Sequence, residues 1–422
     1  MAIVDILKSD RHIFREAADE HKAAYEAALQ NNTGDAWIHK FLFTYWDNVA
    51  EAHNRGKKLF GIGAGFPPEL IYAFDAQPLW MDAASIRFST MDECASFIDL
   101  AEKYIPATFC TIDRAMVGGV LSGMFEKPDA MFLPTGPCDS FRQGYGLCAD
   151  IFEVPIQYVD QPVRIDQRSV EYIAEQYKTT IELLEKYTGT KLNMDRLREV
   201  VHRSNQAGAL LIALAELRKK TPSPLSGLFL ALNEYNYCTW GTQELVDFLM
   251  EQYKMAQANI ASGAVVTNGP EKHRVLILQN MVWNMTEVLT YMESDLNATL
   301  VTGTFEGMHS NIIDETDLNS ILFGLAARGF NMPMTHNAGA YAKDWMNDAI
   351  RMAKEYHCDC ALFLGHVGCK HTWAAARMIS DALMKQCGIK TLELDVDSVD
   401  RRYQKTEDVC AAVKEFIETV EA

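Results

Sequence analysis

Two nine-residue stretches of this chain align without a gap: AMFLPTGPC at 130–138 and ALFLGHVGC at 361–369. Each is an apolar run, four loop residues and a cysteine. Each leads through helical material to a second apolar run ending in aspartate, at Asp160 and Asp395. A short apolar run, a small-residue loop and a helix make the basic unit of an α/β layer, and its repetition predicts two related lobes. Further strand-like runs at 59–62, 275–278 and 299–301 supply neighbours for the two sheets.

The rest of the chain divides around these runs. Residues 1–58 are rich in Ala and Glu and read as a helical segment. Residues 59–165 form the first α/β lobe, and 273–422 the second. Between them, 166–272 carry helical periodicity, broken only at Thr188-Gly189 and at Thr221-Pro222-Ser223-Pro224. That stretch is expected to be a helical insert.

Composition narrows the function. Hydrophobic residues make up 48% and charged residues 23%, the balance of a compact folded chain. The net charge of −18 repels nucleic acid and anionic membranes, so neither is expected as a partner. No window approaches a membrane span, and MAIVDILKSDRHIF has no leader pattern, so a cytoplasmic location is expected. Ten cysteines then point to thiols kept reduced or bound to metal.

In an open parallel sheet, ligands collect beyond the carboxyl ends of the strands. Cys138 and Cys369 stand in such loops, among Gly136, Pro137, Gly365 and Gly368. Cys110 follows a proline-led approach, IPATFC, ahead of an apolar stretch with Gly118 and Gly119. Spacing leaves two readings open, packing beneath the loops or ligation. Three separated thiolates would leave one iron of a four-iron cluster open. Cys94, Cys148, Cys238, Cys387 and Cys410 are expected to pack, and Cys360 to enter a strand. His366, three residues before Cys369, is either a proton donor or a loop histidine bonded to backbone. Gly61-Ile62-Gly63-Ala64-Gly65 lacks the dinucleotide fingerprint, and no phosphate loop, G-x-S-x-G, H-E-x-x-H or C-x-x-C pattern occurs.

At these residues the chain resembles the 2-hydroxyacyl-CoA dehydratase and benzoyl-CoA reductase family, especially the larger, alpha-type dehydratase subunits. Gly365-His366-Val367-Gly368-Cys369-Lys370 with the following helix and acidic strand end carries the strongest likeness. Pro134 to Asp139, and Cys110 to Arg114 with Gly118-Gly119, are similar to the family's other two cysteine loops. The resemblance implies two open-sheet lobes of the flavodoxin or Rossmann kind. It implies a [4Fe-4S] cluster between them, held by Cys110, Cys138 and Cys369. It further implies a related second subunit and a separate ATP-hydrolysing iron–sulfur activator that delivers one electron.

The reaction implied is loss of water from a 2-hydroxyacyl-CoA. One electron on the thioester carbonyl gives a ketyl radical that expels the 2-hydroxyl and makes the 3-hydrogen acidic. Ala64, Gly65 and Phe66, in a loop beyond a strand end, are expected to line the substrate site, with Asp82 at the family's acid position and His366, close in sequence to Cys369, as acid–base candidates. Two departures bear on this. The family's loop serine is replaced in Gly63-Ala64-Gly65, and its glutamate after the next strand is matched by the shorter Asp82. They keep open an ATP-dependent aryl-CoA reductase, and also a cluster-bearing electron-relay or structural subunit. Glu69 reads as a helix-start residue, since the first turn of a helix favours an acid.

Overall fold

The computed structural model describes residues 7, 9–279, 281–306 and 310–421. Two four-stranded sheets form its frame, and every strand pairing in them is parallel. The first contains β1 (Leu59–Ile62), β2 (Gln77–Trp80), β3 (Ala130–Pro134) and β4 (Ile156–Val159), in the order β2-β1-β3-β4. The second contains β5 (His273–Ile277), β6 (Ala298–Gly303), β7 (Cys360–His366) and β8 (Lys390–Val396), in the order β6-β5-β7-β8. The two orders are the same, and the matched nine-residue stretches lie on β3 and β7, equivalent strands of the two sheets. Two related α/β lobes are therefore what the chain builds.

Strands covered on both faces need continuous apolar runs, and LFGI and AMFLP are buried at every position. The outer strands β4 and β8 are much more exposed.

Helices fill the remaining layers. Ile13–Asn31 and Ala36–Ala50 form a hairpin whose Phe14 and Trp46 rings stack at 5.6 Å. The 166–272 stretch contains the long helices Gln167–Thr188, Met194–Arg218 and Gln243–Ser262. Their starts are set by side-chain caps: Asp166 accepts from the Ser169 amide, Asn193 from those of Asp195 and Arg196, and Thr242 from that of Leu245. Gly189 and Gly263 end two of them in the left-handed conformation.

The cores do not divide where the sequence pattern changes. Helix Leu318–Asn331 follows β6 in the chain, yet Ile321, Leu322, Leu325 and Phe330 join the core of the first sheet. Leu230 and Ala231, from the insert, join a core of the second. Among the described residues no helix is long and apolar enough to cross a membrane.

Candidate functional site

The carboxyl ends of the two sheets face one another across a cleft of about 610 Å³. From the first sheet come Ala64 after β1, Trp80 and Asp82 at the end of β2, and Pro137 and Cys138 after β3. Cys110 and Asp113 line it from the start of helix Thr111–Leu121. Trp283 and Phe305 close it from beyond β5 and β6, and Glu234 and Tyr237 from the insert. The site is thus built at the chain crossings where a parallel sheet leaves a crevice.

The three singled-out cysteines occupy the same local position. Cys110 caps helix Thr111–Leu121, Cys138 caps Asp139–Phe152, and Cys369 caps Lys370–Cys387. A helix N-terminus carries unpaired amides and partial positive charge, which favour anionic sulfur. Burial acts against this and pushes all three thiols up, while the amides of Ile112, Phe141 and Thr372 pull the other way.

Cys369 does not line the cleft, but its loop is pressed against Cys110. Gly368 has φ +86°, and a Cβ there would lie 3.1 Å from the Phe109 carbonyl and 3.4 Å from Cys110 Cα. The charges of Cys138 and Cys369 each raise the Cys110 thiol further. Among the described residues no three His, Cys, Asp or Glu side chains stand close enough to hold a single metal ion.

His366, at the end of β7, is 1% exposed and does not line the cleft. Its Nδ1 accepts from the Ser398 amide at 3.1 Å. The proton of a neutral ring is then on Nε2, which lies 3.3 Å from Cys110 Sγ. Burial lowers its pKa, against the pull of Asp397. The Asp397 carboxylate accepts from Thr111 Oγ1 at 2.5 Å, tying the second sheet to the Cys110 helix.

Asp82 is buried on the cleft wall. Trp80 Nε1 donates to its Oδ2 at 2.9 Å, and Tyr145 Oη lies 3.1 Å from the same atom. Tyr145 also reaches the Ile62 carbonyl at 2.9 Å. Its single proton serves one of these partners. When it goes to Ile62, Asp82 must itself donate to the phenol oxygen, which requires a protonated carboxyl. Burial, helped by the charge of Asp113, pushes Asp82 up to about 8. Asp113 is raised to about 6 by burial.

The model of the 2-hydroxyglutaryl-CoA dehydratase D-component family matches residues 64–420. The chain belongs to that family. It is 24% identical over 251 residues to the (R)-phenyllactyl-CoA dehydratase alpha subunit of Clostridium sporogenes, covering 55% of this chain and 60% of that one. The beta subunit of the same name and organism is 25% identical, over 48% of this chain and 53% of its own length. A benzoyl-CoA reductase subunit of Thauera aromatica is 21% identical over 84% of this chain and 86% of that one. The chain therefore spans less than two thirds of these two dehydratase subunits and most of the reductase subunit.

In this D-component family member the expected substrate loop is split between two spaces. Ala64 lines the cysteine cleft, whereas Gly65 and Phe66 line an adjoining cleft of about 400 Å³ with Trp240 and Arg328. Tyr237 belongs to both. Phe66 is 2% exposed and stacks on Phe132, so its ring packs rather than faces the cysteines. Glu69 begins helix Pro68–Tyr72 but is fully buried. It pairs with Arg328 and accepts from Ser204 Oγ at 2.6 Å. Arg328 also lies over the Trp240 ring at 4.3 Å.

Sequence reasoning missed Asp113, Glu234, Tyr237 and Trp283. Asp113 had a signal: three residues after a capping cysteine, a helix returns its side chain to the same face. The other three carry none, being single residues of the insert and of the segment after β5. All ten cysteines are free thiols. Cys148, Cys238 and Cys360 are buried in cores.

Proposed function

We propose that this chain is the iron–sulfur subunit of a 2-hydroxyacyl-CoA dehydratase that eliminates water from a 2-hydroxyacyl-CoA. The observation that carries this reading is the set of three half-buried cysteines at three helix starts, Cys110 and Cys138 lining the cleft and Cys369 in a loop pressed against Cys110. Three separate corners fit a multi-iron group better than one ion, since a [4Fe-4S] cluster spreads its thiolates over different irons. Cys110, Cys138 and Cys369 would hold it, with the helix-start amides offsetting their negative charge. When bound, the cluster supplies single electrons and an open, Lewis-acidic iron.

The chain's own residues do the remaining work. Trp80, Tyr237, Phe305 and Met334 give the cleft apolar walls that hold an acyl group and exclude water. Ala64 leaves room where a larger side chain would intrude. Asp82, protonated up to about pH 8, is placed to move a proton at the bound acyl chain. His366 directs its Nε2 proton at Cys110 and so orients and stabilises that thiolate. The partners proposed are a related second subunit and an ATP-dependent activator, in the cytoplasm.

Ring reduction of an aryl-CoA is the second reading. The long match to the Thauera benzoyl-CoA reductase chain favours it, as does the missing hydroxyl at Ala64.

Anaerobic purification with iron and sulfide analysis, then assay with activator and partner, separates these readings. The expected result is about four irons per chain, as a [4Fe-4S] cluster requires, with turnover of 2-hydroxyacyl-CoA thioesters. Turnover of benzoyl-CoA alone supports the second reading. An iron-free, fully active enzyme overturns both.

A further inference from the structure

The cysteine cleft and a second, outer cleft are lined by consecutive residues of the same two segments. That outer cleft, about 820 Å³, lies between the insert and the second sheet. It meets water at Glu216, whose side chain is 64% exposed, and at Glu355, 38% exposed. In each segment, successive residues face opposite ways across a shared wall. Asn233 lines the outer cleft and Glu234 the cysteine cleft. Phe305 lines the cysteine cleft and Glu306 the outer one.

Each segment therefore places one carboxyl at the partition, and both are buried, Glu234 at 5% and Glu306 at 1% exposure. Among the described residues no lysine, arginine or histidine pairs with either. Glu306 is turned toward the amides of Phe305, Glu306 and Met281, and among the described residues neither of its carboxyl oxygens has a hydrogen-bond partner. Its carboxyl is folded back over the end of β6, where a Cβ on Gly303 would lie 2.2 Å from Oε2. Glu234 is turned toward the indole N–H of Trp283 and feels the charge of Glu306.

Two buried acids with no cation beside them among the described residues do not both stay ionised in such a wall. Burial raises Glu306 to about 8 and drives Glu234 up as well. At least one exchangeable proton is thus held between the outer cleft and the apolar-walled cysteine cleft. Packing alone does not account for this, because two glutamines or two apolar residues would fill the wall without the cost of burying an acid pair.

We infer that Glu306 and Glu234 form a proton conduit linking water in the outer cleft to the substrate cleft. Glu306 takes a proton from the outer water and passes one to Glu234, which releases one into the cysteine cleft; the reverse sequence exports a proton. One proton enters and one leaves, each acid returns to its starting state, and no electron moves. The inference rests on the proposed activity, because elimination takes a proton from carbon and adds one to the departing hydroxide. Neither can cross an apolar-walled cleft unaided. Asp82 lines the same cleft, so a proton released there by Glu234 would be available to the local acid.

The test reads the protons directly as well as through turnover. Infrared spectra of the anaerobic protein at neutral pH should show carbonyl bands of protonated carboxyls that disappear in Glu306→Gln and in Glu234→Gln. After transfer to D2O, the Glu234 band should shift far more slowly in Glu306→Gln than in the wild type. Absence of these bands in the wild type, or equally fast exchange of Glu234 without Glu306, overturns the conduit. In turnover assays Glu306→Gln should lose about 100-fold in kcat with KM little changed. Glu306→Asp, or a small diffusible weak acid added to Glu306→Gln, should recover much of the loss, which a merely structural role would not allow. Wild-type turnover in Glu306→Gln overturns the conduit. A wild-type protein inactive on every CoA thioester sinks the functional reading instead, and the infrared exchange still decides the conduit.

Discussion

The Nε2 proton of His366 points at the sulfur of Cys110, 3.3 Å away, although 256 positions separate the two residues in the chain. The far side of the ring is fixed by the Ser398 amide. His366→Ala removes both interactions and leaves a buried amide unpaired. A stability loss of about 1–3 kcal/mol is expected from that amide, with a further loss from the cavity. Anaerobic urea unfolding measures it; an unchanged midpoint would show that the ring is not holding the two lobes in register.

Iron content should separate the capping cysteines from the packing ones. Cys110→Ala, Cys138→Ala and Cys369→Ala should each lose most iron and the broad visible absorption. Cys387→Ala and Cys410→Ala, half-buried on helices away from the cleft, should keep both. Full iron in all three of the first group ends the cluster assignment.

Asp82 gives a pH dependence with a definite sign. Its carboxyl is raised to about 8 in the folded chain, against about 4 for an ordinary aspartate. Between these values the folded state binds more protons than the unfolded one, so this group's contribution to stability is full below about pH 4 and is lost as pH rises toward 8. Asparagine at 82 does not titrate. The melting temperature of Asp82→Asn minus that of the wild type should therefore climb from pH 5 to pH 8. A flat difference across that window would mean that Asp82 is ionised throughout.

The Glu69–Arg328 pair joins the β1 loop to helix Leu318–Asn331. Arg328→Met leaves a buried carboxylate without its cation and should cost about 3–5 kcal/mol. Glu69→Gln combined with Arg328→Met should cost clearly less than the sum of the two single changes. Denaturant titration of the four proteins gives the coupling, and simple additivity would show that the pair is not energetically linked.

Gly368→Ala tests the approach of two loops. The residue sits at φ +86° with the Phe109 carbonyl 3.1 Å from the place its Cβ would take. Strain of more than about 1 kcal/mol is expected, together with poorer iron retention, because the Cys369 loop must back away from Cys110. Retention equal to the wild type would show that this contact does not set the cysteine positions.

Much of this architecture is legible in the chain because parallel strands advertise themselves. LFGI at β1 and the runs on β3 and β7 are continuous and apolar, and Cys110, Cys138 and Cys369 are each followed at once by a helix. QPLW is harder to read: it is short and holds Pro78, which only an edge strand such as β2 tolerates. The stretch after β6 resists for another reason. Helix Leu318–Asn331 packs on the other lobe's core, and the π-helical turn Met334–Ala338 has no sequence period to betray it. Glu234 and Glu306 belong to no motif. Their meaning comes from being neighbours across a wall made by two distant segments.

Cys110 and Cys138 hang from the first sheet's lobe and Cys369 from the second. The proposed cluster, in gripping all three sulfurs, would therefore act as a clasp across the seam between the lobes. Without it, Thr111–Asp397 and the His366–Cys110 contact would remain beside the cleft, with Arg402–Asp99 and Arg401–Ser89 further out. The loops beside the cleft should then loosen, while helix Leu318–Asn331, packed in the first sheet's core, keeps the two halves joined. Loss of the proposed cluster would thus be felt first as a loosening around the cleft.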